Sequence, residues 1–182
     1  MTKVYFRTKF VPMKDAKVPI TDRGFLYGDG VFETMRSYAG VVFMIDRHLD
    51  RLYGSLTALK IKAPCAKGKL AALIYRSLSV NNLTSAYIRV AATRGEGRLG
   101  ITHTDALAPN LVIVAKDFEG YPAWMHAKGI SAKVVSMTQN ERSPLSRIKS
   151  ANFLPYILAR QEAQGAGFDE AILLNTRGQV AE

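Results

Sequence analysis

Apolar residues along this chain recur first with a period of two and then with a period near 3.6. Val4, Phe6, Phe10 and Val11 fall in two short runs within residues 3–12, and residues 31–38 and 41–44 bracket Ala39-Gly40 as a hairpin. Leu49, Leu52, Tyr53, Leu56 and Leu59 then return at spacings of three and four, which lines one face of a helix ending before Pro64, with Asp46 as its candidate N-cap. A second helix carries Leu70, Leu73, Ile74 and Leu78 and is expected to stop at Asn81-Asn82. Residues 87–93 and 111–115 read as strands, and Asp117-Phe-Glu-Gly-Tyr-Pro122 as a linker. Beyond it the pattern predicts a strand over 130–137, a helix over 152–164 and a buried strand over 170–175. The helix should bury Phe153, Leu154, Ile157 and Leu158 and stop at Gly165 and Gly167. The expected organisation is α/β in two domains: a small N-terminal α/β unit over 1–118, a connection over 119–124, and the first part of a larger unit over 125–182.

Composition narrows the class. With 182 residues, 48% hydrophobic and 22% charged, the chain is expected to be a folded globular protein with one sizeable core or two small ones. No apolar run approaches the ~18 residues of a spanning helix, and the first nine residues lack the continuous apolar core of a signal peptide, so a cytoplasmic protein is expected, with no membrane partner. The single cysteine, Cys65, excludes an internal disulfide and a cysteine-based metal cluster, and reads as an inert structural thiol. A formal charge of +10 raises the question of nucleic acid, but Lys and Arg never form a block of five; anionic small molecules suit the scatter better. His48 and His126 have no metal-ligand spacing with carboxylates or with Cys65, so no metal is expected.

Three segments carry candidate chemistry. The first, Asp22-Arg-Gly-Phe-Leu-Tyr-Gly-Asp-Gly-Val-Phe-Glu33, holds three glycines that permit unusual backbone or close approach. The second is His48-Leu-Asp-Arg51-Leu52. The third opens at Arg147-Ile-Lys149-Ser-Ala-Asn-Phe-Leu, runs through Gly165-Ala-Gly-Phe-Asp-Glu-Ala-Ile-Leu-Leu-Asn and reaches Gly178-Gln-Val-Ala-Glu182. In this order they resemble the class IV aminotransferase family, which includes branched-chain and D-amino-acid transaminases and aminodeoxychorismate lyases. The resemblance implies that family's fold, a pyridoxal 5'-phosphate (PLP) cofactor and a homodimer. It also implies roles. Lys149, expected just before a helix N-terminus, is the lysine that condenses with the cofactor aldehyde and then shuttles a proton. Glu182 occupies the place of the carboxylate beside the pyridine nitrogen, and Arg51 matches the arginine that binds the cofactor phosphate. Tyr27, Phe32 and Glu33 are candidate walls of the substrate pocket.

The loop Thr93-Arg-Gly-Glu-Gly-Arg98-Leu-Gly100 matches the family loop that recognises the substrate carboxylate, which makes Arg98 a candidate substrate-binding residue. D-specific members typically carry Arg-x-His there; this chain has Arg98-Leu99-Gly100, with His103 only nearby. The expected activity is transfer of an amino group from a hydrophobic, branched-chain-like L-amino acid to a 2-oxo acid such as 2-oxoglutarate. The alternatives are a 4-amino-4-deoxychorismate lyase, releasing 4-aminobenzoate and pyruvate, and a non-catalytic homologue that binds a partner. Two departures stand out. Phe153 is near the place of a tyrosine whose hydroxyl contacts the cofactor in branched-chain enzymes. The family pattern also continues beyond the carboxylate into loops that grip the phosphate, so the second domain is expected to be incomplete and the 182 residues by themselves to hold PLP weakly.

Overall fold

The structure, a computed structural model, describes residues 1–102 and 108–182. The chain forms two compact units, Met1–Glu119 with Lys149–Ala151, and Gly120–Ile148 with Asn152–Glu182. Among the described residues no helix is long and apolar enough to cross a membrane.

The first unit is built on six strands: β1 (Lys3–Phe6), β2 (Lys9–Pro12), β3 (Gly30–Tyr38), β4 (Val41–Val42), β5 (Ala86–Thr93) and β6 (Asn110–Asp117). Their order is β2-β1-β6-β5-β3-β4, and every pairing is antiparallel. Side-chain alternation gives the sheet two different faces. On one, Glu33 lies opposite Val90 and Val90 opposite Ile113; Met35, Ile88 and Ala115 form the next row, and all six are buried. On the other lie Phe32, Thr34 and Arg36, with Ala91, Arg89 and Tyr87 across from them.

Two long helices, α2 (Ile45–Ala58) and α3 (Lys67–Ser79), follow the short α1 (Arg23–Tyr27). α2 packs along β3, α3 against β6 and β1, and the two touch each other. Leu49, Leu52 and Leu56 of α2 and Leu70, Ile74 and Leu78 of α3 are buried at the spacings their sequence shows. Each such side chain contributes about 1.5–3 kcal/mol by leaving water. The start of α2 differs from expectation. Met44 is the N-cap, with a left-handed backbone (φ 49) and no capping side chain, so Asp46 falls inside the first turn. There its charge meets the positive end of the helix instead of capping a backbone N–H.

The second unit has two parallel strands, β7 (Ala132–Gln139) and β8 (Glu170–Asn175), joined by α5 (Leu154–Gly165), with α4 (Ala123–Lys128) preceding them. Its buried cluster is Val135, Ala159, Ala163 and Leu173. This corrects the expected face of α5: Phe153, Leu154, Ile157 and Leu158 are exposed, and the helix meets the strands through alanines. Small side chains at Ala159 and Ala163 allow a close approach of the helix to the two strands. β8 likewise buries only Leu173 along its length. A turn at Gly178 (φ 77) then folds the chain back along β8, with Asn175 N–H donating to the Gln179 carbonyl at 2.8 Å and Leu173 N–H to the Glu182 carbonyl at 2.9 Å.

Between β7 and α5 the chain forms a 3-10 turn (Pro144–Arg147) and then an extended piece. Phe32 N–H donates to the Lys149 carbonyl at 3.0 Å and Ala151 N–H to the Gly30 carbonyl at 2.9 Å, so residues 149–151 pair with the free edge of β3. Their hydrogen bonds thus belong to the first unit, although their neighbours in sequence fold with the second.

Candidate active site

Lys149 is therefore not at a helix N-terminus. Arg147 closes the 3-10 turn and α5 starts only at Leu154 with a proline in its first turn, so an extended segment separates Lys149 from the helix. What positions Lys149 is strand pairing. Lying opposite Phe32, it projects on the same face as that ring, and its Nζ is 4.7 Å from the ring centroid. Arg89, opposite Thr34 on the adjoining strand, places its guanidinium carbon 3.8 Å from the same centroid. Phe32 thus gathers an amine and a guanidinium by cation–π attraction. Arg89 escaped sequence reasoning because it reads as one polar residue in an alternating strand; its same-face relation to Phe32 was the available signal.

Arg51, on α2, is bound to Glu33. Its Nε donates to Glu33 Oε1 at 2.5 Å and its Nη2 to Oε2 at 2.7 Å, while His48 Nδ1 lies 2.9 Å from Oε2. Asp50, the neighbour in sequence, pairs instead with Lys67. Glu33 is wholly buried on the α2 face of β3, the face opposite Phe32, so its expected part as a pocket wall beside Phe32 is not what the structure gives. Burial raises the Glu33 carboxyl, but the bonds from Arg51 and His48 outweigh it and hold it below the ordinary range. The bond to Glu33 in turn raises Arg51.

A second ionic cluster braces the loop that precedes β6. Asp29 accepts from Arg23 Nε at 3.0 Å and from Arg94 Nε and Nη2 at 2.7 and 3.0 Å. Arg94 also donates to the carbonyls of Leu59 and Lys60. Burial pushes Asp29 up, yet Arg94 and Arg23 bring it below its usual value. Arg23 continues to the carbonyls of Gly100 and Ile101, and Tyr27 Oη accepts from Gly100 N–H at 2.7 Å. Tyr27 is thereby tied to Gly100, close in sequence to the exposed Arg98. His103 lies outside the described residues.

In the second unit Glu182 is exposed, and Tyr156 is raised by burial first and by Glu182 second. The hydroxyl that Phe153 lacks is present one helical turn on at Tyr156, whose ring lies 4.7 Å from that of Phe153 and whose Oη is 3.4 Å from Gln139 Nε2. Cys65 is half-buried; burial pushes its thiol up, against the opposing effects of Tyr53 and Lys69, in keeping with an inert thiol.

Comparison with known proteins supplies a family. Over 99% of its length the chain is 43% identical to a putative branched-chain-amino-acid aminotransferase of Methanocaldococcus jannaschii, of which it covers 62%. It is 31% identical, over 94% of its length, to a D-alanine aminotransferase of Staphylococcus haemolyticus, of which it covers 60%. Its fold is similar to the crystal structure of the Escherichia coli branched-chain amino acid aminotransferase, with a TM-score of 0.93 at 28% identity over 99% of this chain and 62% of that one. The chain thus spans about three-fifths of the length of these relatives. The model of the amino-transferase class IV family matches residues 30–182, which include Phe32, Arg51, Lys149 and Glu182, and the chain belongs to that family.

Proposed function

We propose that this chain carries the amino-group chemistry of a PLP-dependent aminotransferase acting between a hydrophobic, branched-chain-like L-amino acid and an acidic 2-oxo acid such as 2-oxoglutarate, in a homodimer. The observation that carries the reading is the Phe32 ring, with Lys149 Nζ at 4.7 Å and the Arg89 guanidinium at 3.8 Å. It puts a primary amine and a carboxylate-binding fork on one surface.

The residues fit PLP in their chemistry. Lys149 offers the amine, the half-exposed Arg51 a guanidinium with one edge bound to Glu33, and the exposed Glu182 a carboxylate. When bound, the cofactor supplies an aldehyde and an electron-accepting ring. Lys149 Nζ would hold the cofactor through its aldehyde and would move the proton at the substrate's α-carbon. Arg51 would donate to the cofactor's phosphate, and Glu182 would accept from its pyridine nitrogen. Arg89 takes the second carboxylate of a dicarboxylic substrate, whose displacement by an apolar side chain leaves Phe32 as the contact. Tyr27 and Arg98 act at the substrate through the loop that Arg23 clamps.

The test is the set of half-reactions of the PLP-loaded protein with L-leucine, L-glutamate and D-alanine, followed by absorbance. L-Leucine and L-glutamate should react faster than D-alanine, because Arg98-Leu99-Gly100 lacks the histidine partner of D-specific members. Faster reaction with D-alanine overturns the stereochemical assignment. Release of 4-aminobenzoate and pyruvate from aminodeoxychorismate, without transamination, assigns the lyase reaction instead. A Lys149 adduct that responds to no amino acid identifies a non-catalytic homologue.

A further inference from the structure

Glu33 poses a physical question that its place in a strand does not answer. It has no exposed surface, and a buried carboxylate is costly unless it is paired. Its partner Arg51, by contrast, has a side chain 54% exposed, and water alone would satisfy such a guanidinium. A fold that buries a charge in order to bond a solvated one gains little over an apolar residue in the same place. What it gains is orientation.

The geometry specifies which orientation. Glu33 takes the Nε and Nη2 donors side-on. A guanidinium has five N–H groups in one plane, so Glu33 consumes two and leaves three: both on Nη1 and the outer one on Nη2. The Nη1/Nη2 edge presents two of these in parallel, a fork that matches two oxygens of a phosphate. His48 completes the arrangement. A carboxylate oxygen only accepts, so His48 Nδ1 carries a hydrogen toward Oε2 and holds Glu33 from its second side. Both partners come from α2, one turn apart, and Glu33 from the middle of β3, whose neighbouring residue Phe32 carries Lys149 on the other face. Two consecutive residues of one strand thereby fix the two candidate cofactor-holding groups.

We propose that Glu33 is a positioning residue: it locks Arg51 so that the outer Nη1/Nη2 edge of the guanidinium receives a phosphate monoester. This rests on the assignment of Arg51 to the cofactor phosphate, and it adds that the bond to Glu33 persists while phosphate is bound. Because Glu33 cancels the net charge of Arg51, the device works through direction and not through long-range attraction.

The experiment is an NMR titration of the 15N-arginine-labelled chain with inorganic phosphate, applied to the unaltered protein, Glu33→Gln and Arg51→Ala, with a thermal melt for each. In the unaltered chain phosphate should move the Arg51 Nη resonances and leave its Nε–H slow to exchange. Glu33→Gln should weaken phosphate binding by on the order of tenfold and bring Nε–H into fast exchange; Arg51→Ala should abolish binding. If Glu33→Gln lowers the melting temperature but keeps the phosphate affinity within about twofold while Arg51→Ala loses it, Glu33 is merely structural and the proposal falls. Phosphate affinity untouched by Arg51→Ala overturns the Arg51 assignment, and the proposal with it. If Glu33→Gln does not fold, the unaltered chain still decides: exposure of Nε–H on adding phosphate would mean that phosphate displaces Glu33, which overturns the proposal.

Discussion

The two units bury their apolar residues in different ways. In the first, β3, β5 and β6 lay three or more buried residues each beneath α2 and α3, and the helices bury the leucines and isoleucine at their helical spacings. In the second, two parallel strands and α5 enclose four buried side chains, two of them alanines, while Leu154, Ile157, Leu158 and Val134 stay about half exposed or more. Both units contain amphipathic helices of twelve to fourteen residues. The difference is the width of the surface each helix meets. The six-stranded sheet accepts the full apolar stripes of its helices, whereas β7 and β8 meet α5 through a line of small residues. The residues with candidate chemistry follow the same division: those held by buried partners are in the first unit, and the carboxylate Glu182 is exposed in the second.

Lys149 gives the sharpest means of breaking this comparison, because the first unit takes that residue from within the second unit's stretch of chain. Borohydride reduction of the protein with PLP should fix an adduct on Lys149, and Lys149→Ala should abolish it. An undiminished adduct in that variant, located by peptide mapping, would place the reactive amine on another lysine and separate the chemistry from the β3 edge.

The next effect concerns the backbone. Gly95 has φ 94, and an added Cβ would lie 1.9 Å from the Ala108 carbonyl oxygen; Gly178 has φ 77 and open space around it. Gly95→Ala should therefore cost at least about 3 kcal/mol, from clash plus left-handed strain, and Gly178→Ala only the strain, about 1–2 kcal/mol. Urea melts of the two variants measure the difference, and equal costs would mean that the first unit yields as readily as the second.

Leucine deletions then test the packing argument at matched chemistry. Leu52→Ala, at a fully buried position on α2, should cost about 3 kcal/mol, and Leu158→Ala, at a 46% exposed position on α5, less than about 1 kcal/mol. A comparable loss at Leu158 would show that in solution something covers the α5 surface.

The sequence made these elements legible wherever a local rule decided them. Alternation located β1 to β6, and 3.6-periodicity located α2, α3 and α5. It misjudged features set by partners far along the chain. Leu154, Ile157 and Leu158 were assigned to a core because they are leucine-like and helically spaced, but which face of a helix is buried depends on the surface opposite. The extended backbone at Lys149 comes from pairing with a strand more than a hundred residues earlier, and Arg51 finds its partner in Glu33, eighteen residues before it. The family motifs named Lys149, Phe32 and Arg51 as candidates from spacing alone, and the structure gives each a defined set of neighbours. Arg89 carried no motif, and His48 stood in one without a role; their geometry supplies both, through Phe32 and Glu33.

The smallest effect is titration, which separates buried from exposed carboxylates. Glu33 and Asp29 in the first unit are held below their ordinary values of 4.5 and 3.8, in each case by arginine bonds that overcome burial. A carboxylate whose folded value is depressed stabilises the fold above its unfolded value and loses that contribution as pH falls through the folded one. Melting temperature should thus be level from neutral pH to about 5 and decline below about 4.5. Glu33→Gln should melt lower than the unaltered chain at pH 7, and the gap should close as pH falls, because acid removes from the unaltered protein the charge that the variant already lacks. In the second unit Glu162 is also lowered, by the side-chain and backbone bonds from Ser136, but its side chain is 30% exposed where that of Glu33 is wholly buried, and Glu162→Gln should open a much narrower gap. Melts of the three proteins between pH 7 and 3 are the measurement. A gap for Glu33→Gln that stays constant across this range would mean that its cost is one of packing, and that the ionic bond to Arg51 adds nothing to the stability of the first unit.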